Sequence, residues 1–187
     1  MVSIKGSAVI DSLSSVRARL GEAGIEQILG LLDPETRGFF REEVMTAQST
    51  AWVPLDRFVE FLKADLIVSD GGREEALIGR AEATIERQLR GIYRVFVRLS
   101  RPDSIVERIA AVNTTYFQGV GIERHLEEGK ATVRHLGFQM NHHLMEYVIL
   151  GFYQKALQLC GAKAVEAQFT KHIRDGGPYA ELQLAWR

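Results

Sequence analysis

The feature that most constrains this chain is a change of apolar period near residue 161. Across residues 141–160, Met145, Val148, Ile149, Phe152, Ala156, Leu159 and Cys160 recur every three or four positions, which is one face of an α-helix. Tyr147, Leu150, Tyr153 and Leu157 widen that face, so the helix is predicted to be covered on more than one side. Gly161 stands where a left-handed C-terminal cap belongs. Beyond it the period falls to two. Val165, Ala167 and Phe169 alternate with Glu166, Gln168 and Thr170, and Ala180, Leu182, Leu184 and Trp186 alternate with Tyr179, Glu181, Gln183 and Ala185. The Asp175-Gly176-Gly177-Pro178 turn between them predicts an antiparallel hairpin, its apolar face under the long helix.

Upstream the pattern is helical. Residues 3–10 read as a lead-in strand or loop. Leu13, Val16 and Leu20 have helical spacing, Gly21 and Gly24 punctuate, and residues 25–32 form a second short helix. Asp33-Pro34-Glu35 is a helix start: an N-cap acid, a proline at the first helical position and an acid in the first turn. That helix is predicted to run to Val44. Trp52-Val53-Pro54 restarts the pattern, with Leu55, Phe58, Phe61 and Leu62 as its stripe. After a loop at residues 69–72, Ile78, Ala81, Ile85, Leu89, Ile92, Phe96 and Leu99 predict one long helix over residues 73–99, supported by a Glu86–Arg90 pair. Pro102 and Asp103 open another helix. Gly119, Gly121 and Gly129 mark turns among one or two short strands.

The fold class expected is therefore α+β: N-terminal helices, then a small antiparallel sheet with a long apolar helix packed on it. A chain of 187 residues suits a single domain over 1–187, with an N-terminal helical subregion at 1–70 and a helix plus α/β core at 73–187. The net charge of −1 gives no electrostatic case for nucleic acid or an anionic membrane. Cys160 is the one cysteine, so no intrachain disulfide forms. Residues 1–8 lack the apolar core of a signal peptide, and no run approaches ~20 apolar residues. A cytoplasmic location without membrane insertion is the expectation.

No catalytic constellation emerges, so an enzyme is not expected. The histidines are His125, His135, His142, His143 and His172. His142 and His143 are adjacent and diverge by about 100° in a helix, and no paired cysteine or acidic motif accompanies them. Surface or capping histidines are the expectation, with no metal site. Gly119-Val120-Gly121 lacks the context of a dinucleotide loop and reads as a turn. Cys160 is expected to be a buried, inert thiol. Arg124 and Arg134 are cations for an anionic ligand or solvated surface groups. The aromatics form a core layer in which Tyr93, Phe96, Tyr116, Phe138 and Phe152, with Cys160, are the candidates for lining a ligand pocket.

The order of these elements carries a resemblance. Arg101-Pro102-Asp103 opens a helix through Ala111-Val112-Asn113; Thr132-Val133-Arg134-His135-Leu136-Gly137-Phe138 follows, then a long helix and a hairpin closing on Leu184-Ala185-Trp186. This resembles the fold shared by haem nitric-oxide/oxygen-binding (H-NOX) domains, bacterial vinyl-reductase-type small-molecule-binding domains and core subunits of the TRAPP vesicle-tethering complex. It is similar above all to a paralogous family of this kind abundant in myxobacteria. The haem branch implies an iron-ligating histidine in the helix beginning near Pro102, where Asn113 stands. It also implies a Tyr-x-Ser-x-Arg grip on the next strand, where Ala131-Thr132-Val133-Arg134-His135 stands. Both departures argue against haem held in that manner, so no cofactor is expected; His125 or His135 would be its substitute ligands. The resemblance implies a non-enzymatic sensory domain holding a small hydrophobic ligand in bacterial signalling. The alternative is a homodimeric interaction module or adaptor of TRAPP-like fold, and a haem gas sensor ranks third.

Overall fold

The first strand, β1 (Ser3–Lys5), is the centre of a three-stranded antiparallel sheet. It pairs with β2 (Trp52–Pro54), setting Ile4 against Val53, and with β3 (Phe117–Gln118) on its other side. In the computed structural model of this protein, residues 1–41, 50–88 and 101–187 are described. They divide into two compact units: Met1–Glu74 with Tyr116–Gly119, and Glu75–Thr115 with Val120–Arg187.

The first unit is helical around that sheet. Helix α1 (Gly6–Leu31) is interrupted at Gly21, whose φ of 68° and ψ of −172° only glycine adopts readily, so the punctuation read from the sequence is a kink within one element. Val9, Leu13, Val16 and Ile28 of α1 are buried, as are Phe58, Phe61 and Leu62 of α3 (Leu55–Asp70), and the two helices pack together. Arg19 reaches both carboxylate oxygens of buried Asp65 at 3.0 Å, an ion pair that ties the two helices together. Helix α2 (Pro34–Phe39) starts where the sequence placed it. Asp33 accepts from the amides of Glu35 and Thr36 at 2.9 and 3.1 Å. The Thr36 hydroxyl and these amides hold its carboxyl down to about 2. The expected run to Val44 lies outside the described residues.

One expectation is corrected here. Trp52-Val53-Pro54 opens no helix; it is β2, because Val53 is buried and paired and the residue before a proline favours extended backbone. The helix begins one residue later, and Gly71 closes it in the left-handed conformation.

The second unit combines three helices with a four-stranded sheet. Helix α4 (Ala76–Gln88) occupies part of the predicted 73–99 span; residues 89–100 lie outside the described residues, Arg90 of the expected Glu86 pair among them. Glu86 meets Lys155 at 3.0 Å. Helix α5 (Pro102–Tyr116) follows. Strands β4 (Gly121–Glu127), β5 (Lys130–Leu136), β6 (Glu166–Lys171) and β7 (Tyr179–Ala185) form an antiparallel sheet in the order β4-β5-β7-β6. Helix α6 (Leu144–Leu159) enters through a 3₁₀ turn at Met140–His142, and Gly161 follows it at φ 89°. No helix among the described residues is long and apolar enough to cross a membrane.

Helix α6 is apolar on more than one side because it has two partners. Gly151 lets α4 approach closely: a Cβ there would overlap the Ile78 carbonyl oxygen and stand 3.1 Å from the Ala81 Cβ. Tyr153 and Leu157 are buried, and the Tyr153 ring meets His135 of β5, which places this side of α6 over the sheet.

Candidate functional site

Side chains opposite one another in a ladder share a face. The register therefore gives three rows beneath α6. They are Leu126–Ala131–Leu184–Ala167, then Arg124–Val133–Leu182–Phe169, then Ile122–His135–Ala180. Ala131, Val133, His135, Ala180, Leu182 and Leu184, on the two central strands, are all buried. The opposite face is solvated. Its row Glu123–Arg134–Glu181–Lys171 alternates in charge, Arg134 donating to Glu181 at 2.9 Å and lying 3.9 Å from Glu123. The Tyr179 ring sits between the Arg134 and Lys171 cations at 4.7 and 4.4 Å. The hydrogen bond to Glu181 holds Arg134 charged and keeps the Glu181 carboxyl below the usual carboxylate range.

One polar pair interrupts the apolar layer. His135 is 2% exposed and Tyr153 1% exposed, their rings edge to face with centroids 6.1 Å apart. Neither imidazole nitrogen and not the Tyr153 hydroxyl has a hydrogen-bond partner. Phe138 and Phe169 bring their rings to 6.4 and 6.3 Å from the imidazole. Burial in this apolar setting lowers the His135 pKa to about 4 and pushes the Tyr153 phenol up. At neutral pH the imidazole is therefore uncharged, with one nitrogen a donor and the other an acceptor. Arg124, exposed on the edge strand β4, is near enough to Tyr153 for its charge to oppose that rise.

Three other histidines sit at the surface or at caps. His142 and His172 cap the two 3₁₀ turns, and His125 is exposed beside Glu127 at 3.3 Å. His172 also binds the buried Glu146 carboxylate at 2.7 Å, which accepts a second bond from the Ile173 amide. His135 is the exception to the surface-or-capping reading: it takes a core position in phase with Ala131 and Val133. That phase was the signal available in the sequence. Nothing there marked Tyr153 as polar-unpaired, because its partners come from other elements.

Of the candidate lining residues, Tyr93 and Phe96 lie outside the described residues. Tyr116 is half-buried and clusters with the first unit, whereas Phe138, Phe152 and Cys160 are half-buried in the second. Of these three, Phe138 borders the polar pair, 6.4 Å from His135 and 6.2 Å from His142. Burial pushes the Cys160 thiol up to about 11, against the charge of Arg108, so it is a poor nucleophile at neutral pH.

The residues present do not fit haem in the manner of the H-NOX branch. Helix α5 holds no histidine, and Asn113, a poor iron ligand, has a buried amide nitrogen without a partner. Arg134, the arginine nearest the expected propionate grip, points to the solvated face and is engaged by Glu181. His135 is closed in by three aromatic rings, which a macrocycle would have to displace. Among the described residues no group of three or more histidine, cysteine or acidic side chains converges as a metal site.

No family model and no curated protein matches this chain. Solved structures do. The Fe(II) unliganded H-NOX protein from K. algicida superposes with a TM-score of 0.71 at 15% identity, over 98% of this chain and 97% of that one. The H-NOX protein from S. oneidensis in the Fe(II)NO ligation state gives 0.72 at 13% identity, over 98% and 99%. A mutant H-NOX of T. tengcongensis gives 0.62 at 10% identity, over 98% of each. At such identities the likeness establishes the fold: this chain has an H-NOX-like α+β architecture along nearly its whole length.

Proposed function

We propose that this protein is a non-enzymatic sensory domain of H-NOX-like fold that holds a small, mainly hydrophobic molecule, in a cytoplasmic bacterial signalling context. The observation that carries the reading is the layer between α6 and the sheet. It is apolar across the two central strands, walled by Phe138 and Phe169, and holds a polar pair with no protein partner. Buried polar groups nearly always have a hydrogen-bond partner, and leaving one unpaired costs about 1–3 kcal/mol. A guest would satisfy them. The fold is one in which the solved neighbours carry iron, whereas this chain lacks the histidine that would ligate it from α5. The reading therefore follows the haem-free branches of the resemblance rather than the haem-binding one.

Native mass spectrometry of the purified full chain tests this directly. A small molecule retained on the folded protein and released on unfolding is expected, and the same spectrum reads the subunit count. A bare polypeptide mass with nothing extractable would overturn the reading.

A further inference from the structure

Among the described residues the four-stranded sheet has an open edge on each side, and the two edges differ in chemistry. Strand β4 forms one. On the face that the central strands bury it carries Ile122, Arg124 and Leu126, and Arg124 is exposed. A charge turned to that face keeps a second chain from extending the sheet, because pairing would bury it. Strand β6 forms the other edge and has no such charge. On the same face it shows only Ala167 and Phe169, both half-buried. The pairs Leu184–Ala167 and Leu182–Phe169 therefore reach the open edge still apolar. On its solvated face β6 carries opposite charges at its two ends, Glu166 first and Lys171 last, with neutral Gln168 between them. A bulge after Phe169 brings Lys171 opposite Glu181 of β7.

We infer that β6 is a self-pairing edge: a second copy of this chain adds its own β6 antiparallel, about a two-fold axis through Gln168, and joins the two four-stranded sheets into one. In that register Ala167 lies opposite Phe169 of the second copy, so the apolar rows of one sheet run on into those of the other. Glu166 lies opposite the Thr170–Lys171 bulge of the second copy, which sets an acid against a base at both ends of the ribbon. The same operation on β4, centred on Arg124, would set that cation against its own copy. The pairing also closes. Once β6 is used, the outer edges of the joined sheet are both β4, each guarded by Arg124, so assembly stops at two chains. Backbone hydrogen bonds along the strands hold such a joint, and the side chains set its register. The inference does not depend on the ligand-holding reading.

Sedimentation equilibrium of the full chain over a range of concentrations is expected to show a monomer–dimer equilibrium, since a strand of six residues makes a small interface. Hydrogen exchange then locates it. Amides within residues 166–171 should gain protection as concentration rises, while those of residues 121–127 keep their rates. Glu166→Lys, at an exposed position, makes both ends of the ribbon repel and is expected to weaken dimerisation about tenfold. Adding Lys171→Glu restores opposite charges across the axis and is expected to recover it. Ala167→Arg gives β6 the charge that β4 already has and is expected to abolish the dimer, with circular dichroism reporting whether the chain still folds. A monomer at every concentration would overturn the inference. So would a dimer that Glu166→Lys and Ala167→Arg both leave intact, since its interface would lie elsewhere. Loss of the dimer in Glu166→Lys without recovery in the double variant would overturn the register through Gln168. The exchange measurement on the wild-type chain needs no variant to fold.

Discussion

At the scale of single residues, His135 gives this protein a response to pH. Its imidazole is held near 4 in the folded protein against 6.5 ordinarily, by burial alone. The unfolded chain therefore binds more protons between those two pH values, and stability rises with pH across that window. This destabilisation is absent above about 6.5, grows as pH falls, and is complete near 4, on the order of 3 kcal/mol. Urea midpoints measured at pH 7 and pH 4.5 should differ more for wild type than for His135→Phe. Equal pH dependence would mean that the ring is solvated in solution. The burial of His135 was only half legible: its phase with Ala131 and Val133 was visible, but histidine is ordinary at surfaces, and the chain alone does not say that Tyr153 lies across it. The capping roles of His142 and His172 are local, three-residue affairs, and so were easier to anticipate.

At the scale of elements, two glycines act for different reasons. Gly21 has nothing near the place a Cβ would occupy, so its demand is purely conformational. Gly21→Ala should cost about 1–3 kcal/mol through backbone strain, read as a lower thermal midpoint with the ligand layer unaffected. Gly151 is held by space instead. Gly151→Ala drives a methyl into the Ile78 carbonyl of α4 and should cost about 1–3 kcal/mol by overpacking. It should also weaken any guest held beneath α6, since the helix must shift to relieve the overlap. An unchanged midpoint in Gly151→Ala would show that α4 and α6 do not pack so closely in solution. The helices and the hairpin were legible because caps, turns and apolar period are written within a few residues of one another. The strand at Trp52–Pro54 was not, since three residues are too few to show a period and its partner is β1, some 50 positions away.

At the scale of the whole molecule, the likeness to H-NOX proteins and the lack of a fitting ligand set pull apart, and an absorbance spectrum decides between them. Protein expressed with haem available is expected to show no Soret band. A band that persists through purification and disappears in His135→Phe would revive a haem reading with a substitute ligand. The predicted α+β class agrees with the structure and with the solved neighbours. Of the residues expected to line a pocket, Phe138 lies beside His135, Tyr116 clusters with the first unit, and Tyr93 and Phe96 lie outside the described residues. What the amino-acid order determined by itself was whatever depends on near neighbours: the Asp33 cap, the kink at Gly21, the apolar face of α6 and the alternation of β6 and β7. Tertiary structure alone decided that β7 lies between β5 and β6, that α4 covers the second face of α6, and that one histidine of five is sealed beside an unpaired tyrosine. The physical reason is that period and capping are short-range, whereas burial depends on which distant surface is laid over a residue.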